Sequence, residues 1–139
     1  MSGIVSARSG APINVIGVDQ ARTGIRNQRV QVLDNPYGDM TSYNWLNPYA
    51  FALPAAGTLG NFRRNSLRGP AFWTVDAALS KLVSLGATQS VALRVEAFNL
   101  FNTLNLDVPD GNKISPTFGQ ITSMAGTPRI LQFGVRYTF

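Results

Sequence analysis

The chain contains no cysteine and no histidine among its 139 residues. Catalysis by a thiolate, zinc–thiolate sites and any mechanism with a histidine base are therefore excluded. Charged residues are also scarce, at 14% of the chain against about 25% in ordinary soluble domains. Long hydrophobic runs are lacking too. The longest spans residues 49–56 and contains Pro54, whereas a membrane-spanning helix requires about 20 apolar residues.

Hydrophobic residues nevertheless make up 45% of the chain. Many apolar residues, few charges and no long apolar run are typical of a chain that is apolar at every second position. Transmembrane β-barrels have this composition, because one face of each strand meets lipid and the other meets water. A soluble β-sandwich with a polar, uncharged surface has a similar composition. Composition alone therefore leaves both classes open.

The charged residues do not form a recognisable catalytic or nucleic-acid-binding pattern. The basic residues are scattered, apart from Arg63, Arg64 and Arg68, and a nucleic-acid site needs a basic stripe interleaved with aromatics. The only glutamate, Glu96, shares a strand face with Arg94. We interpret these charges as lining a polar surface and pairing across strands. No catalytic residue, metal ligand, cofactor site or nucleic-acid partner is predicted, and the chain is not expected to be an enzyme.

Strict alternation of apolar and polar residues predicts the strands. The clearest run lies at the end of the chain, where positions 131, 133, 135, 137 and 139 are apolar or aromatic and most of the positions between them are polar or small. Similar alternation predicts strands near residues 72–83, 89–99 and 129–139, with a weaker one near 3–15 that Pro12 limits. The connections 17–70 and 99–128 are predicted to be long loops without regular structure.

The order of the connections, long then short then long, predicts the fold. We expect an all-β antiparallel meander of about four long strands, with the long loops at one end, as the terminal fragment of a transmembrane β-barrel. A short turn centred near Leu85 or Gly86 would place Asp76 opposite or diagonal to Arg94, where an ion pair would hold the register. Residues 107–112 lack the spacing of a calcium loop and are predicted to form a turn.

The last eight residues resemble the C-terminal β-signal of outer-membrane proteins. In this sequence the pattern is carried by Gln132, Gly134, Tyr137 and the terminal Phe139. The resemblance implies that the outer-membrane assembly machinery recognises this strand. Aromatic residues near the predicted strand ends, namely Trp73, Phe101, Tyr137 and Phe139, are expected at the two membrane interfaces.

Other stretches resemble the large TonB-dependent transporters, in particular the Oar-like group with a carboxypeptidase-regulatory-like domain. The matching stretches cover most of the chain in order: 9–12, 22–24, 35–37, 45–48, 60–65, 69–70, 96–102, 118–121 and 128–134. The resemblance implies a barrel of about 22 strands around an N-terminal plug. Residues 1–8 do not form a signal peptide, so we expect the true N-terminus to lie upstream or the reading frame to be truncated.

The resemblance implies the C-terminal part of a receptor for nutrient uptake in the outer membrane of a Gram-negative bacterium, not functional alone. Its expected partners are outer-membrane lipid, the assembly machinery and the rest of the barrel with its plug. A surface adhesion or glycan-binding protein without transport is the alternative function. Trp45, Arg63, Arg64 and Arg68 are candidate ligand contacts in the outer loops, where Tyr43 and Tyr49 would add aromatic surface. A structural role in closing the loop is the alternative for these residues.

Overall fold

The structure is a computed structural model that describes residues 1–24 and 26–139. Its regular elements, in chain order, are β1 (Ser2–Arg8), β2 (Pro12–Ile13), β3 (Ile16–Gly17), β4 (Gln28–Arg29), β5 (Gln31–Val32), a 3₁₀ helix (Pro48–Ala50), β6 (Phe51–Ala52), β7 (Leu67–Arg68), β8 (Phe72–Ser84), β9 (Ser90–Phe98) and β10 (Ile130–Thr138). Within the described residues no helix is long and apolar enough to cross a bilayer.

The chain divides into two units. The first, here called the sheet unit, comprises Met1–Arg8, Phe72–Asn105 and Gly126–Phe139. The second, the loop unit, comprises Ser9–Ala71 and Leu106–Ala125. The loop unit is thus assembled from the two long connections of the sequence.

The sheet unit is a four-stranded antiparallel sheet in the order β1-β8-β9-β10. Each long strand therefore pairs with the long strand next to it in sequence, and the predicted all-β meander is confirmed. Both long connections join the sheet at one end, where Arg8 faces Phe72 and Phe98 faces Ile130. The short turn lies at the other end, where Ser84 faces Ser90. β1 and β10 are the two edges, so the sheet is open.

Alternation assigns the faces of the sheet correctly. The register places Leu79, Val95 and Phe133 side by side across three strands, and Val83, Val91 and Tyr137 likewise. The other face carries rows such as Ala78, Glu96 and Gln132. Neither face is covered within the unit. β1 and β10 are exposed along their whole length, and Ala97 is the only apolar strand residue in this sheet that is buried among those described.

Two predictions about the strands are corrected. The strand predicted near residues 3–15 ends at Arg8, and Pro12 and Ile13 instead form a two-residue strand in the loop unit. The physical reason is that Arg8 pairs with Phe72, the first residue of β8, so that β1 has no partner to continue the ladder beyond Arg8.

The predicted turn and its ion pair are also wrong. β8 continues to Ser84 and β9 begins at Ser90, so the turn is centred on Ala87, with the Leu85 N–H bonded to the Gln89 carbonyl at 2.9 Å. This longer turn shifts the register, and the partner of Arg94 on β8 is Ser80 instead of Asp76. The predicted pair of Asp76 with Arg94 is therefore absent, although both residues do lie on the same face.

The loop unit has a hydrophobic core, whereas the sequence predicted long loops without regular structure. Nine buried residues form it: Ile13, Val15, Val30, Leu46, Ala50, Phe51, Phe62, Leu67 and Phe118. Phe51 packs edge-on against Phe62 and Phe118, with ring centroids 6.0 and 5.5 Å apart. Phe118 comes from the second long connection and Phe51 from the first. Burial of their rings therefore holds the two connections together.

Short strand pairs and hydrogen bonds complete the loop unit. β2 pairs with β7, β3 with β4, and β5 with β6, each over two residues. The Lys113 ammonium donates a 2.8 Å hydrogen bond to the Pro48 carbonyl and lies 5.0 Å from the centre of the Phe118 ring. The ladders are too short to be seen as alternation, and so the sequence did not predict them.

Candidate functional site

The apolar face of the sheet unit is the first candidate functional surface. It is formed in rows by Val5, Ala7, Trp73, Val75, Ala77, Leu79, Val83, Val91, Leu93, Val95, Ala97, Leu131, Phe133, Val135, Tyr137 and Phe139. Several large side chains there are more than half exposed, including Val5 at 74%, Leu79 at 56% and Phe133 at 75%. A continuous apolar surface of this kind is rare on soluble monomers and marks contact with a partner or a membrane.

The height of this face matches a bilayer. Ten residues separate Trp73 from Val83 along β8, which is about 33 Å at 3.3 Å per residue. A strand tilt of about 40° reduces this to about 25 Å along the membrane normal, the height of the apolar band of outer-membrane barrels. Lys81 is the one charged residue on this face of β8, close to the end at Ser84.

Aromatic pairs mark the two ends of the apolar face. The rings of Trp73 and Phe101 lie 5.9 Å apart at the end that carries the long connections. The rings of Tyr137 and Phe139 lie 5.8 Å apart at the end that carries the short turn. Sequence reasoning predicted these four residues as interface aromatics, and the structure places them at opposite ends of the sheet.

The polar face carries most of the charges of the sheet strands, and Lys81 is the exception on the apolar face. Arg94 donates a 2.6 Å hydrogen bond to Glu96, two positions along the same strand. Asp76 does not join them and instead accepts a 2.8 Å hydrogen bond from the Asn99 N–H. A shallow cavity of about 230 Å³ is lined by these charged residues and also by Ala77 and Ala97 of the alternate rows. Asp76, Arg94 and Glu96 therefore lie on one face as predicted. Arg94 and Glu96 pair with each other along β9, and Asp76 bonds to the backbone just after β9.

The side chains of Asn99, Asn102 and Asn105 form hydrogen bonds with the backbone at the end of the sheet where β9 ends. Asn99 is 5% exposed, donates to the carbonyls of Thr103 and Thr127 at 3.0 and 2.9 Å, and accepts from the Thr103 N–H at 2.9 Å. Asn102 accepts from the Arg129 N–H at 3.1 Å. Both have positive φ, at 50° and 54°, a conformation that asparagine tolerates better than most residues. These residues belong to the stretch 96–102 that resembles the transporter family.

Asn105 pairs with the backbone as a strand would. Its side chain accepts from the Trp73 N–H at 3.0 Å and donates to the Trp73 carbonyl at 2.9 Å. Its side chain therefore makes both backbone hydrogen bonds with Trp73, beyond the point where β9 ends at Phe98. Asn105 is 4% exposed, and sequence reasoning missed its role.

The four predicted assembly-signal residues lie on β10 or just after it. Tyr137 and Phe139 share the apolar face, whereas Gln132 faces Glu96 and Gly134 faces Arg94 on the polar face. A Cβ added at Gly134 would lie 3.8 Å from the Arg94 Cβ, an ordinary contact. Packing against β9 therefore does not require glycine here. If glycine is required at position 134, the reason lies at the other edge of β10, which has no partner strand among the described residues.

The four residues predicted as ligand contacts in the loops have different surroundings in the loop unit. The Trp45 indole N–H donates to the Arg68 carbonyl at 3.2 Å, and the Arg68 guanidinium reaches the Gly10 carbonyl at 3.5 Å. Trp45 and Arg68 thus bond to the backbone of the loop unit, as the structural alternative for these residues would require. Arg63 and Arg64 are both exposed. Arg64 lines a cavity together with Arg29, which the sequence did not single out, and Arg63 is not among the residues that line this cavity.

The turn predicted at residues 107–112 lies instead at residues 113–119. Asp110 lies just before this turn. Its side chain accepts hydrogen bonds from the Thr117 hydroxyl at 2.7 Å and the Asn112 N–H at 2.9 Å. Burial alone would raise the pKa of Asp110. Hydrogen bonds from Ser115, Asn112 and Thr117 outweigh it and lower this pKa below its ordinary value. The charged form is therefore stabilised by the fold.

An open antiparallel sheet with an apolar face one bilayer high, aromatic ends and a charged opposite face defines a class: the membrane-embedded sheet of a β-barrel. A family model described as "Outer membrane beta barrel domain" matches residues 1–132. The chain belongs to this family. The comparison with curated proteins found no match, and neither did the comparison with solved structures.

Proposed function

We propose that the chain is the C-terminal part of a TonB-dependent outer-membrane receptor that takes up a nutrient, and that it does not act alone. The observation that carries the proposal is the open sheet. β1 and β10 each pair on one side only within the described residues, although their membrane-facing side chains already form a band of bilayer height. In hydrocarbon an unpaired strand edge costs several kcal/mol for each unsatisfied group, so further strands have to complete the barrel.

The transport part of the proposal rests on the resemblance to TonB-dependent transporters. The stretch 96–102 that carries part of the resemblance forms the asparagine-bonded end of the sheet. Its residues are therefore structural, as expected for a motif shared by barrels of differing substrates. The expected parent is a barrel with a plug in a Gram-negative outer membrane, without enzymatic activity or a cofactor.

Changes in the last strand test whether the assembly machinery recognises it. Deleting Phe139, or changing Tyr137 to Asp, should abolish insertion of the parent barrel, because strand addition uses side chains on alternate positions for specificity. Changing Thr138 to Ser should leave insertion unchanged. The measurement is a heat-modifiability gel on outer-membrane fractions. Normal insertion of the parent lacking Phe139 would contradict the role of the terminal signal.

Energy coupling is tested separately. The reading frame upstream of Met1 should encode a plug domain and a segment that binds the periplasmic domain of TonB. Co-purification of that domain with the parent barrel, lost when the segment is deleted, would support transport. A parent that inserts normally but has no plug and does not bind TonB would favour a surface adhesion or glycan-binding protein.

A further inference from the structure

The loop unit contains a cavity that the proposed uptake function does not use. Its volume is about 440 Å³, within the range of about 300–1,000 Å³ of small-molecule sites. It is lined by residues from three stretches of the chain: Asn14, Val15, Ile16, then Asn27, Gln28, Arg29, and finally Phe62 and Arg64. All of these residues belong to the loop unit.

Backbone hydrogen bonds fix the three stretches to one another. Ile16 pairs with Arg29 in the β3–β4 ladder. The Phe62 N–H donates to the Val30 carbonyl at 3.1 Å, and the Asn65 N–H donates to the Asn14 side chain at 2.9 Å. Arg29 and Arg64 therefore extend from backbone whose relative position is set before any ligand binds.

The two arginines have no anionic partner among the described residues. The single ion pair among the described residues joins Arg94 to Glu96 in the sheet unit, and no carboxylate lines the cavity. Neither guanidinium makes a hydrogen bond to another described residue. Two cations on one cavity repel each other unless an anion lies between them. Guanidinium groups match the geometry of phosphate and carboxylate oxygens.

The remaining lining indicates what carries the anion. Val15 and Phe62 are 1% and 4% exposed and provide apolar lining. The side-chain amides of Asn14 and Asn27 are exposed and provide donors and acceptors for hydroxyl groups. We propose that this cavity binds a saccharide unit that bears a phosphate or a carboxylate, with the anion held by Arg29 and Arg64. The proposal rests on the cavity and not on transport, so it holds for a transporter and for a surface binding protein.

Calorimetry on the full-length barrel in detergent tests the proposal, with glucose 6-phosphate and glucuronate as probes and glucose as the uncharged control. We expect at least one charged probe to bind and glucose to bind more weakly by about 10-fold or more. Arg29→Gln and Arg64→Gln should each weaken binding by about 10-fold or more, since each removes a charge-assisted contact. Arg63→Gln is the matched control, because Arg63 is the adjacent exposed arginine but does not line the cavity. It should change binding by less than about twofold. Heat-modifiability confirms that each variant is folded.

A second arm separates the sources of the anion. Bicelles with and without lipid A present the same sugar phosphates on a membrane. Binding of lipid A bicelles alone, sensitive to Arg64→Gln but not to Arg63→Gln, assigns the site to a lipid-borne saccharide. Binding of the free probes that is weakened by Arg64→Gln and not by Arg63→Gln assigns the site to a soluble saccharide. The proposal is overturned if no probe and no bicelle binds, if glucose binds as tightly as the charged probes, or if Arg63→Gln weakens binding as much as Arg64→Gln.

Discussion

Leu79 lies close to the middle of the apolar face, and a charge placed there distinguishes a lipid-facing sheet from a soluble one. The midpoint between Trp73 and Val83 on β8 is residue 78, so Leu79 is about 3 Å along the strand from the centre of the band. Its neighbours on that face are Val95 across the strand pair and Phe133 one strand further. The charged residue on this face of β8 is the cation Lys81, so an arginine at residue 79 has no carboxylate beside it on the strand.

The magnitude follows from this depth. Arginine at the midplane of an outer-membrane barrel costs about 2–4 kcal/mol, and the cost falls to about 0–1 kcal/mol near the interfaces. We therefore expect Leu79→Arg to be about 2–4 kcal/mol less stable than Leu79→Ala, the reference that removes the loss of the leucine side chain. If this side chain, which is 56% exposed, faced water, the two variants would differ in their free energy of unfolding by no more than about 0.5 kcal/mol.

The adjacent residue provides the matched control. Ala78 lies on the opposite face, lines the shallow cavity and has Glu96 as its partner on β9. An arginine there meets a carboxylate and water, so Ala78→Arg should change stability by about 1 kcal/mol or less in either direction. A shift of one residue thus moves the same charge from lipid to the polar face.

The assay is equilibrium urea unfolding of the full-length barrel in phospholipid vesicles, followed by tryptophan fluorescence. The reasoning is refuted if Leu79→Arg and Leu79→Ala unfold within about 0.5 kcal/mol of each other, the range expected for an ordinary exposed surface. It is equally refuted if Ala78→Arg costs as much as Leu79→Arg, because the two faces would then be in the same environment.

The remaining predictions concern the bonds that close the loops. Asn99→Ala removes three hydrogen bonds from a buried side chain and should lower the free energy of unfolding in urea by about 3 kcal/mol. Asn102→Ala removes one hydrogen bond of an exposed side chain and should lower it by about 1 kcal/mol. Phe118→Ala should cost about 3–5 kcal/mol and expose the loop unit to pulse proteolysis, and equal resistance of the variant would contradict a shared core. Because the pKa of Asp110 is lowered in the fold, its stabilisation is present above the ordinary value near 3.8 and is lost as the pH falls through the lowered one. Protease resistance of the loop unit should decline over that range in the wild type and decline less in Asp110→Asn, in which another carboxylate with a lowered pKa, Asp19, still titrates.

Alternation predicted which face each strand residue occupies but not the register. A period of two gives the same face for any shift by an even number of residues. Asp76 and Arg94 therefore share a face in both the predicted and the observed register, although their partners differ. The position of the turn decides the register, and the stretch 84–89 contains small and polar residues that suit turns of several lengths.

The anion cavity shows a different limit of the sequence. Arg63 and Arg64 are indistinguishable in composition and spacing, yet only Arg64 lines the cavity. Arg29 has no basic neighbour within two residues and so gave no signal. The two arginines line the same cavity because Ile16 pairs with Arg29 and the Asn14 side chain accepts a hydrogen bond from the Asn65 N–H. These contacts join residues far apart in the chain, and local pattern does not encode them.

Asparagine explains why the long connections fold although they resemble unstructured loops. Asn61 accepts from the Val32 N–H at 2.7 Å and donates to the Val32 carbonyl at 3.3 Å. Asn105 makes the same pair of bonds with Trp73. In each case one uncharged side chain satisfies both polar groups of a strand residue, as a neighbouring strand would. A backbone group left without a partner costs about as much as a lost hydrogen bond. These side chains therefore satisfy the backbone of Val32, in a two-residue strand, and of Trp73, near the start of β8. The residues that predict loops by composition are therefore those that hold the loops in one conformation.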